Sequence, residues 1–392
     1  IGLDFIRRME ALGIACRVFN PVLPVIKVFM NNRDHRKITV IDGKVGFTGG
    51  YNLANEYFNI THPYGHWKDT GIRLEGDAVK SLTVMFLEMW NAVKKTDQDY
   101  QKYLPETDYQ AKQDGFIQPY ADSPLDDEHV GESVYMNLIA HAKKEIYFTT
   151  PYLIITDEMN RALGLAAKRG VDVRIVTPGI PDKKLIYKVT RSYYAGLVRQ
   201  GVRIYEYTPG FIHAKQCVCD GEAATCGTIN MDYRSLYLHF ENGAFLYNCD
   251  AVKEMRKDFE HIFAESTEVT EKYKSGRSAV LRGTQCLLRL FAPKMRMILW
   301  KDKKAYFRGY RKANTDGCIL FIHAISESYD LLIVDIKDDI PALIAIDDSE
   351  IENVNSITYP ILEYLIKNSI EVSENVIEEE PYGKGDFDDE WE

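Results

Sequence analysis

The sequence is short of several things. It has no run of roughly 18 or more uninterrupted apolar residues, the length a membrane-spanning helix needs. Its first residues do not read as a charged-then-apolar leader. Its 7 cysteines (Cys16, Cys217, Cys219, Cys226, Cys249, Cys286, Cys318) fall into no paired framework. An odd, scattered set in a chain this long reads as reduced thiols in a cytosol-facing protein. Cys217 and Cys219 lie two apart, the spacing of neighbours on one strand face rather than of a zinc knuckle. With 26 Gly and 14 Pro in 392 residues, a collagen-like or low-complexity chain is excluded. No cluster of carboxylates reads as a Mg²⁺ site, so no metal and no cofactor is expected.

What is present is a globular composition. Hydrophobic residues make up 45% and charged residues 27%, ample for a buried core. The length suits roughly two domains, or one large domain with an appendage. The net charge of −10 is unevenly spread. Residues 301–392 hold 22 Asp+Glu against 9 Lys+Arg, and the rest is mildly basic at +3. Such a body can meet anionic lipid or phosphate, while the acidic tail cannot. A nucleic-acid enzyme would be expected to show a stronger basic stripe.

The chain contains a repeat. Residues 35–52 and residues 213–230 each carry His-x-Lys, four residues, Asp-Gly, and then Asn 17 residues after the His. The members are His35, Lys37, Asp42 and Asn52, and His213, Lys215, Asp220 and Asn230. Before each copy comes a helix-like stretch, a Gly and an alternating strand. Within each copy the His and Lys share one strand face, about 7 Å apart by the per-residue rise. Asp42 and Asp220 fall at Asp-Gly turns and read as structural. The predicted unit is therefore a strand–turn–strand hairpin with Asn just past its end.

Elsewhere the pattern predicts strands at 71–76, 145–153 and 171–178. Helices are predicted over 78–94, 157–169, 250–264 and 265–290, with Leu82, Met85, Phe86, Met89 and Trp90 as the apolar stripe of the first. Residues 96–114 read as a polar linker. Past 297 the chain changes character: strands near 319, 331 and 342, a helix over 356–368, and an acidic, disordered tail. The predicted fold is α/β, with two pseudo-twofold-related α/β/α halves at 1–110 and 111–296 and a small α+β segment at 297–392. The second copy is preceded by strand, helix and strand; the first has no room for them, and the chain is expected to be truncated at its N-terminal side.

Two copies of His, Lys and Asn suggest one site at a pseudo-twofold interface. One His attacks phosphorus, the other protonates the leaving alkoxide, and lysines and asparagines hold the non-bridging oxygens. A nucleophilic His must be neutral and held in one tautomer by a partner on its other nitrogen. The carboxylates downstream of the motifs, Glu56 and Glu241, are the candidates for that role. His62, His66, His129, His141, His239, His261 and His323 are expected to serve the surface, caps or packing, with His66 as the exception to watch. Phe58, Tyr64, Trp67, Tyr205, Tyr207 and Phe211 are expected in core and pocket wall.

These residues resemble the phospholipase D superfamily, whose signature is a duplicated H-x-K-x4-D motif followed by G-[GST]-x-N. The stretches His66-Trp-Lys-Asp-Thr, Thr150-Pro-Tyr-Leu and Gly227-Thr-Ile-Asn-Met-Asp-Tyr-Arg-Ser are closer still to the bacterial cardiolipin synthases of that superfamily. The resemblance runs from about residue 5 to Ala292. It implies a transferase at the cytoplasmic face of the cell membrane that joins two phosphatidylglycerol molecules into cardiolipin through a phosphatidyl-histidine. Phosphatidylglycerol and anionic membrane lipid are then the partners, and nucleic acid is not. His35 and His213 match the nucleophile and acid/base pair, inside catalytic motifs completed by Lys37, Asp42, Lys215 and Asp220. Asn52, Asn230 and Thr228 match phosphate-binding positions, with Gly50 in the place of Thr228 in the first copy. Glu56 and Glu241 match histidine-orienting carboxylates. The alternatives are a hydrolase with the same site, and a catalytically incomplete fragment acting as a binding module.

Overall fold

A computed structural model describes residues 3–20, 32–111, 115–126 and 128–274, and four strands between 306 and 347. The chain separates into two compact units, Ile1–Ser278 and Ala279–Glu392. Both motif copies lie in the first.

That unit opens with helix α1 (Leu3–Ala11). Strands β1 (Ile38–Ile41) and β2 (Val45–Gly49) form a hairpin. Strand β3 (His66–Lys68) stands apart, and β4 (Gly71–Glu75) pairs with β2, giving the antiparallel sheet β1-β2-β4. Helix α2 (Ala78–Val93) packs Val79, Leu82 and Met85 onto Leu74, Ile38 and Val40 of that sheet. Its buried stripe is Val79, Leu82, Thr83, Met85 and Leu87. Phe86, expected in it, is 48% exposed and stacks on Trp90 instead. Helical spacing from Val79 would place Phe86 on the stripe, and nothing in the structure explains its exposure.

The second half runs β5 (Phe116–Asp122), α3 (Val130–His141), β6 (Glu145–Thr149), β7 (Leu153–Ile154), α4 (Asp157–Lys168), β8 (Asp172–Pro178), α5 (Lys184–Arg199) and β9 (Arg203–Tyr207). It continues through β10 (Gly210–Ile212), β11 (Gln216–Cys219), β12 (Ala223–Gly227), β13 (Met231–Asp232), α6 (Tyr233–Tyr237), β14 (Glu241–Tyr247), α7 (Asp250–Glu265), β15 (Ser266–Glu268) and α8 (Thr270–Lys274). Eight strands form one mixed sheet in the order β15-β9-β8-β6-β11-β12-β14-β5. Strands β6, β8 and β9 are parallel, as a strand–helix–strand crossover requires. Strands β11, β12 and β14 repeat the antiparallel pattern of β1, β2 and β4.

Local signals explain these elements. Thr156 caps α4 by accepting the Met159 amide at 3.1 Å. Gly170, at φ +94°, closes that helix in a conformation other residues resist. Helix α7 presents Val252, Met255 and Phe259 to Tyr147, Val218, Ala224 and Leu246 on one sheet face. Fully burying each such side chain stabilises by about 1.5–3 kcal/mol. Tyr135 of α3 packs on Phe148, whose side chain points the opposite way from Tyr147. The sheet is thus covered on both faces.

The stretch expected as one helix over 265–290 begins differently. Ser266–Glu268 is a strand, hydrogen-bonded to β9 at the sheet edge, where Arg203 pairs with Glu268. The rest of that stretch past 274, the helix expected over 356–368 and the acidic tail lie outside the described residues. The second unit contains β16 (Tyr306–Arg311), β17 (Gly317–His323), β18 (Tyr329–Lys337) and β19 (Ile340–Asp347) as an antiparallel meander. No described helix is long and apolar enough to cross a membrane.

Candidate active site

The two halves of the first unit exchange short segments. Strand β3 pairs in parallel with β10, directly ahead of the second motif, and the His213 amide donates to the Lys68 carbonyl at 2.7 Å. The counterpart is a parallel bridge between Asp34 and Phe240, with the His35 amide donating to the Phe240 carbonyl at 2.9 Å. Each histidine is therefore seated on a segment that follows the other motif. The residue after that segment brings a carboxylate. Asp69 follows Lys68 and lies 2.8 Å from His213 Nδ1. Glu241 follows Phe240, and both its oxygens lie 2.9 Å from His35 Nδ1.

Both carboxylates are buried. Burial alone would raise them, but the histidine beside each holds Asp69 and Glu241 below the usual carboxylate range. Each therefore stays an acceptor, which favours the histidine proton on Nδ1 and the lone pair on Nε2. Burial lowers His213 to about 3, helped by Lys215 and Lys37 and opposed by Asp69. His35 is lowered too, by burial and Lys37, with Glu241 opposing. Its side chain keeps 23% of its surface, against 9% for His213.

The lysines crowd the same space. Lys215 Nζ lies 2.8 Å from His213 Nε2 and also donates to the His213 carbonyl. Lys37 donates to the His35 carbonyl. Burial lowers Lys37 to about 8 and Lys215 to about 7, and Lys37 adds to the lowering of Lys215. One motif's cation acts on the other motif's His and Lys, so the two copies share one electrostatic site. Asn230 is buried, and its Oδ1 is an acceptor without a partner. Asn52 donates to the Tyr57 hydroxyl at 2.7 Å. Tyr57, Trp67 and Phe211 surround the His213 ring at centroid distances of 5.1, 5.2 and 6.0 Å, and of these Trp67 and Phe211 form the wall expected of them. Tyr64 packs at a tilt against Trp67 and Phe211, while Phe58 is 56% exposed. His66 bonds the Tyr207 hydroxyl.

The structure places the expected site residues as follows. Glu56 sits on the one-turn 3-10 helix Asn55–Phe58, which Asn59 turns away in a left-handed conformation, and it bonds neither histidine. Asp69 stands in its place, because the β3–β10 pairing delivers it to His213. The one sequence signal for Asp69 is its place in the His66-Trp-Lys-Asp-Thr stretch. Glu241 does meet a histidine, but that of the other motif. Thr228, expected on phosphate, is fully buried and turns its hydroxyl to the Glu241 carboxylate, which Ser235 also bonds. Gly50 holds the matching place against Asp69: a Cβ there would lie 2.2 Å from Oδ1. The motif aspartates sit at the hairpin turns. Asp220 accepts the amides of Lys143, Lys144 and Glu145 at 2.7–2.9 Å, and Asp42 is exposed at φ +52°. Cys217 and Cys219 are buried free thiols.

Comparison with known proteins agrees with this architecture. Residues 135–263 match the family described as cardiolipin synthase, PLD-like domain. The chain is 44% identical over 293 residues to an uncharacterized protein of Streptococcus mutans, covering 75% of this chain and 63% of that one. It is 37% identical over 296 residues to a cardiolipin synthase of Halalkalibacterium halodurans, covering 75% of this chain and 58% of that one. The chain thus spans about three fifths of the length of the curated relatives it matches. In fold it is similar to the crystal structure of a phosphatidylserine synthase of Haemophilus influenzae. The TM-score is 0.50 at 14% identity, over 68% of this chain and 70% of that one. The class these likenesses point to is the phospholipase D superfamily. Within it, the matching family is that of the cardiolipin synthase PLD-like domain.

Proposed function

We propose that the protein transfers a phosphatidyl group from one phosphatidylglycerol to the headgroup hydroxyl of a second, forming cardiolipin and releasing glycerol. The observation that carries this reading is the crossed pairing of two histidines with two buried carboxylates beside two lysines of lowered pKa. With both histidines neutral, the two lysines are the cations that meet a phosphodiester's non-bridging oxygens.

In the proposed cycle His213 is the nucleophile. It is neutral, and Asp69 directs its Nε2 lone pair outward. The phosphate oxygens draw Lys215 off Nε2, which then attacks phosphorus. The P–O bond to the glycerol headgroup breaks, and His35, carrying a proton on Nε2, gives it to the departing alkoxide. Glu241 and the bound phosphate favour that charged form of His35. The hydroxyl of the second phosphatidylglycerol then gives its proton to His35 and attacks phosphorus. The P–N bond breaks and His213 is restored. Lys37, Lys215 and the Asn230 side-chain Nδ2 donate to the non-bridging oxygens, with Asn52 once it leaves Tyr57. Thr228 and Ser235 position Glu241, and Asp42 and Asp220 shape the hairpins. No metal or cofactor enters this cycle, and the site is set at the cytoplasmic face of the membrane.

The test is mass spectrometry of lipids after mixing the protein with phosphatidylglycerol vesicles, with His213→Ala as control. Cardiolipin plus glycerol is the expected result. Phosphatidic acid alone would make the protein a hydrolase, and no product from folded protein would favour the binding module.

A further inference from the structure

His239 has no task in the cycle above, and its surroundings are unusual. Only 12% of its side chain is exposed, yet neither ring nitrogen has a hydrogen-bond partner. A buried polar group left unpaired asks for an explanation. Its Nδ1 lies 3.6 Å from Glu241 Oε1, and its ring centroid lies 5.3 Å from that of His35. His35, His239 and Glu241 each present one ligand atom, all within 4.8 Å of one another.

We propose that His35, His239 and Glu241 form an inhibitory site for a divalent first-row transition cation such as Zn²⁺. Two imidazoles and one carboxylate are a donor set for such cations rather than for Mg²⁺ or Ca²⁺, which take oxygen. Zn²⁺ bonds of about 2.0–2.1 Å place tetrahedral ligand atoms about 3.3 Å apart. The two separations from Glu241, 2.9 Å to His35 Nδ1 and 3.6 Å to His239 Nδ1, bracket that spacing. The unpaired nitrogen of His239 gains a partner, and Thr228 and Ser235 already steady the carboxylate from behind.

The consequence follows from the tautomer. With Glu241 on Nδ1–H, His35 keeps its lone pair on Nε2. A cation on Nδ1 needs the lone pair there, so the single proton of the neutral ring moves to Nε2. No proton is lost, but Nε2 can neither accept one from a hydroxyl nor carry a second. The site thus silences one histidine while leaving His213 and Asp69 untouched. The inhibition rests on the function proposed above; the binding does not.

The experiment is a Zn²⁺ titration of the full chain by calorimetry without lipid, with Co²⁺ absorption as a second probe. The expected result is a site whose affinity falls at least about tenfold in His239→Asn, at an unchanged melting temperature. Unchanged affinity in His239→Asn, or no Zn²⁺ binding by the wild-type chain, overturns the proposal. If His239→Asn does not fold, ¹⁵N spectra of the wild-type histidines decide: Zn²⁺ must move the His35 proton from Nδ1 to Nε2. In the vesicle assay, Zn²⁺ should inhibit the wild-type protein and spare His239→Asn. Zn²⁺ binding without any lipid product would remove the transferase and leave the metal site standing.

Discussion

The two histidines are held by the same device and surrounded differently. Each sits on a segment from the opposite half and bonds a carboxylate that ends it. His213 is enclosed by Tyr57, Trp67 and Phe211, with Lys215 at its Nε2. His35 has a second imidazole for a neighbour, more open surface, and a carboxylate steadied by Thr228 and Ser235. Symmetric geometry with unlike surroundings fits the division of labour proposed above, in which one imidazole stays neutral and the other carries protons. That is what a two-step transfer needs from two copies of one motif.

The largest effects should come from breaking that division. His213→Ala is expected to lose activity by about 10⁴-fold or more on any phosphodiester. His35→Ala should do the same on phosphatidylglycerol, where the alkoxide needs a proton. On a p-nitrophenyl phosphodiester, whose leaving group needs none, His35→Ala should still give a burst of nitrophenolate and a trapped phosphohistidine. A burst from His213→Ala, with none from His35→Ala, would reverse the two roles.

Next come the carboxylates. Asp69→Asn and Glu241→Gln should each lower kcat by about 10²–10⁴-fold, because the amide no longer selects the Nδ1–H tautomer. Glu56→Gln should stay within about twofold, since that residue bonds neither histidine. Equal loss in Glu56→Gln and Asp69→Asn would undo the crossed pairing. Gly50→Ala presses on Asp69 where Thr228 supports Glu241, and a displaced carboxylate should cost about 10–100-fold in kcat. Steady-state kinetics on folded variants checks all four.

The sequence made the motifs legible because a repeated spacing survives without knowledge of the fold. His35 and His213 share their offsets to Lys, Asp and Asn, and the hairpins follow from alternation and Asp-Gly turns. The partner of His213 was not legible in the same way. Asp69 reaches it through a three-residue parallel pairing between β3 and β10, and no local pattern announces which distant segments will pair. Glu56 looked equivalent because it follows Asn52 closely; chain proximity was a poor guide to a carboxylate delivered across the pseudo-twofold. The contact of Thr228 was hidden for a related reason. Its position in the motif is right, but burial spends its hydroxyl on Glu241.

The lysines offer a gentler comparison. Lys37 and Lys215 are lowered to about 8 and about 7 in the folded protein, against about 10.4 unfolded. Between the folded and unfolded values the unfolded chain binds more protons, so stability should rise with pH from about 7 to 10. Melting curves across that range should show a gain that Lys215→Met diminishes more than Lys37→Met. A gain of the same size in all three proteins would place the titration elsewhere.

The smallest difference lies at the two hairpin turns, far from the phosphate site. Asp220 gathers three backbone amides that would otherwise end α3 and begin β6 unpaired, and those bonds hold its carboxyl low despite burial. Asp42 occupies the same turn position at nearly the same φ, 52° against 53°, but is exposed and gathers none of these contacts. Asp220→Ala should therefore destabilise by about 1–2 kcal/mol, and Asp42→Ala by about 0.5 kcal/mol or less. Turnover per folded molecule should be unchanged in both, because neither carboxylate reaches a histidine. Denaturant unfolding with a parallel activity assay decides the point: a drop in kcat for Asp220→Ala at unchanged stability would return the motif aspartate to the chemistry and leave the turn to be explained by φ alone.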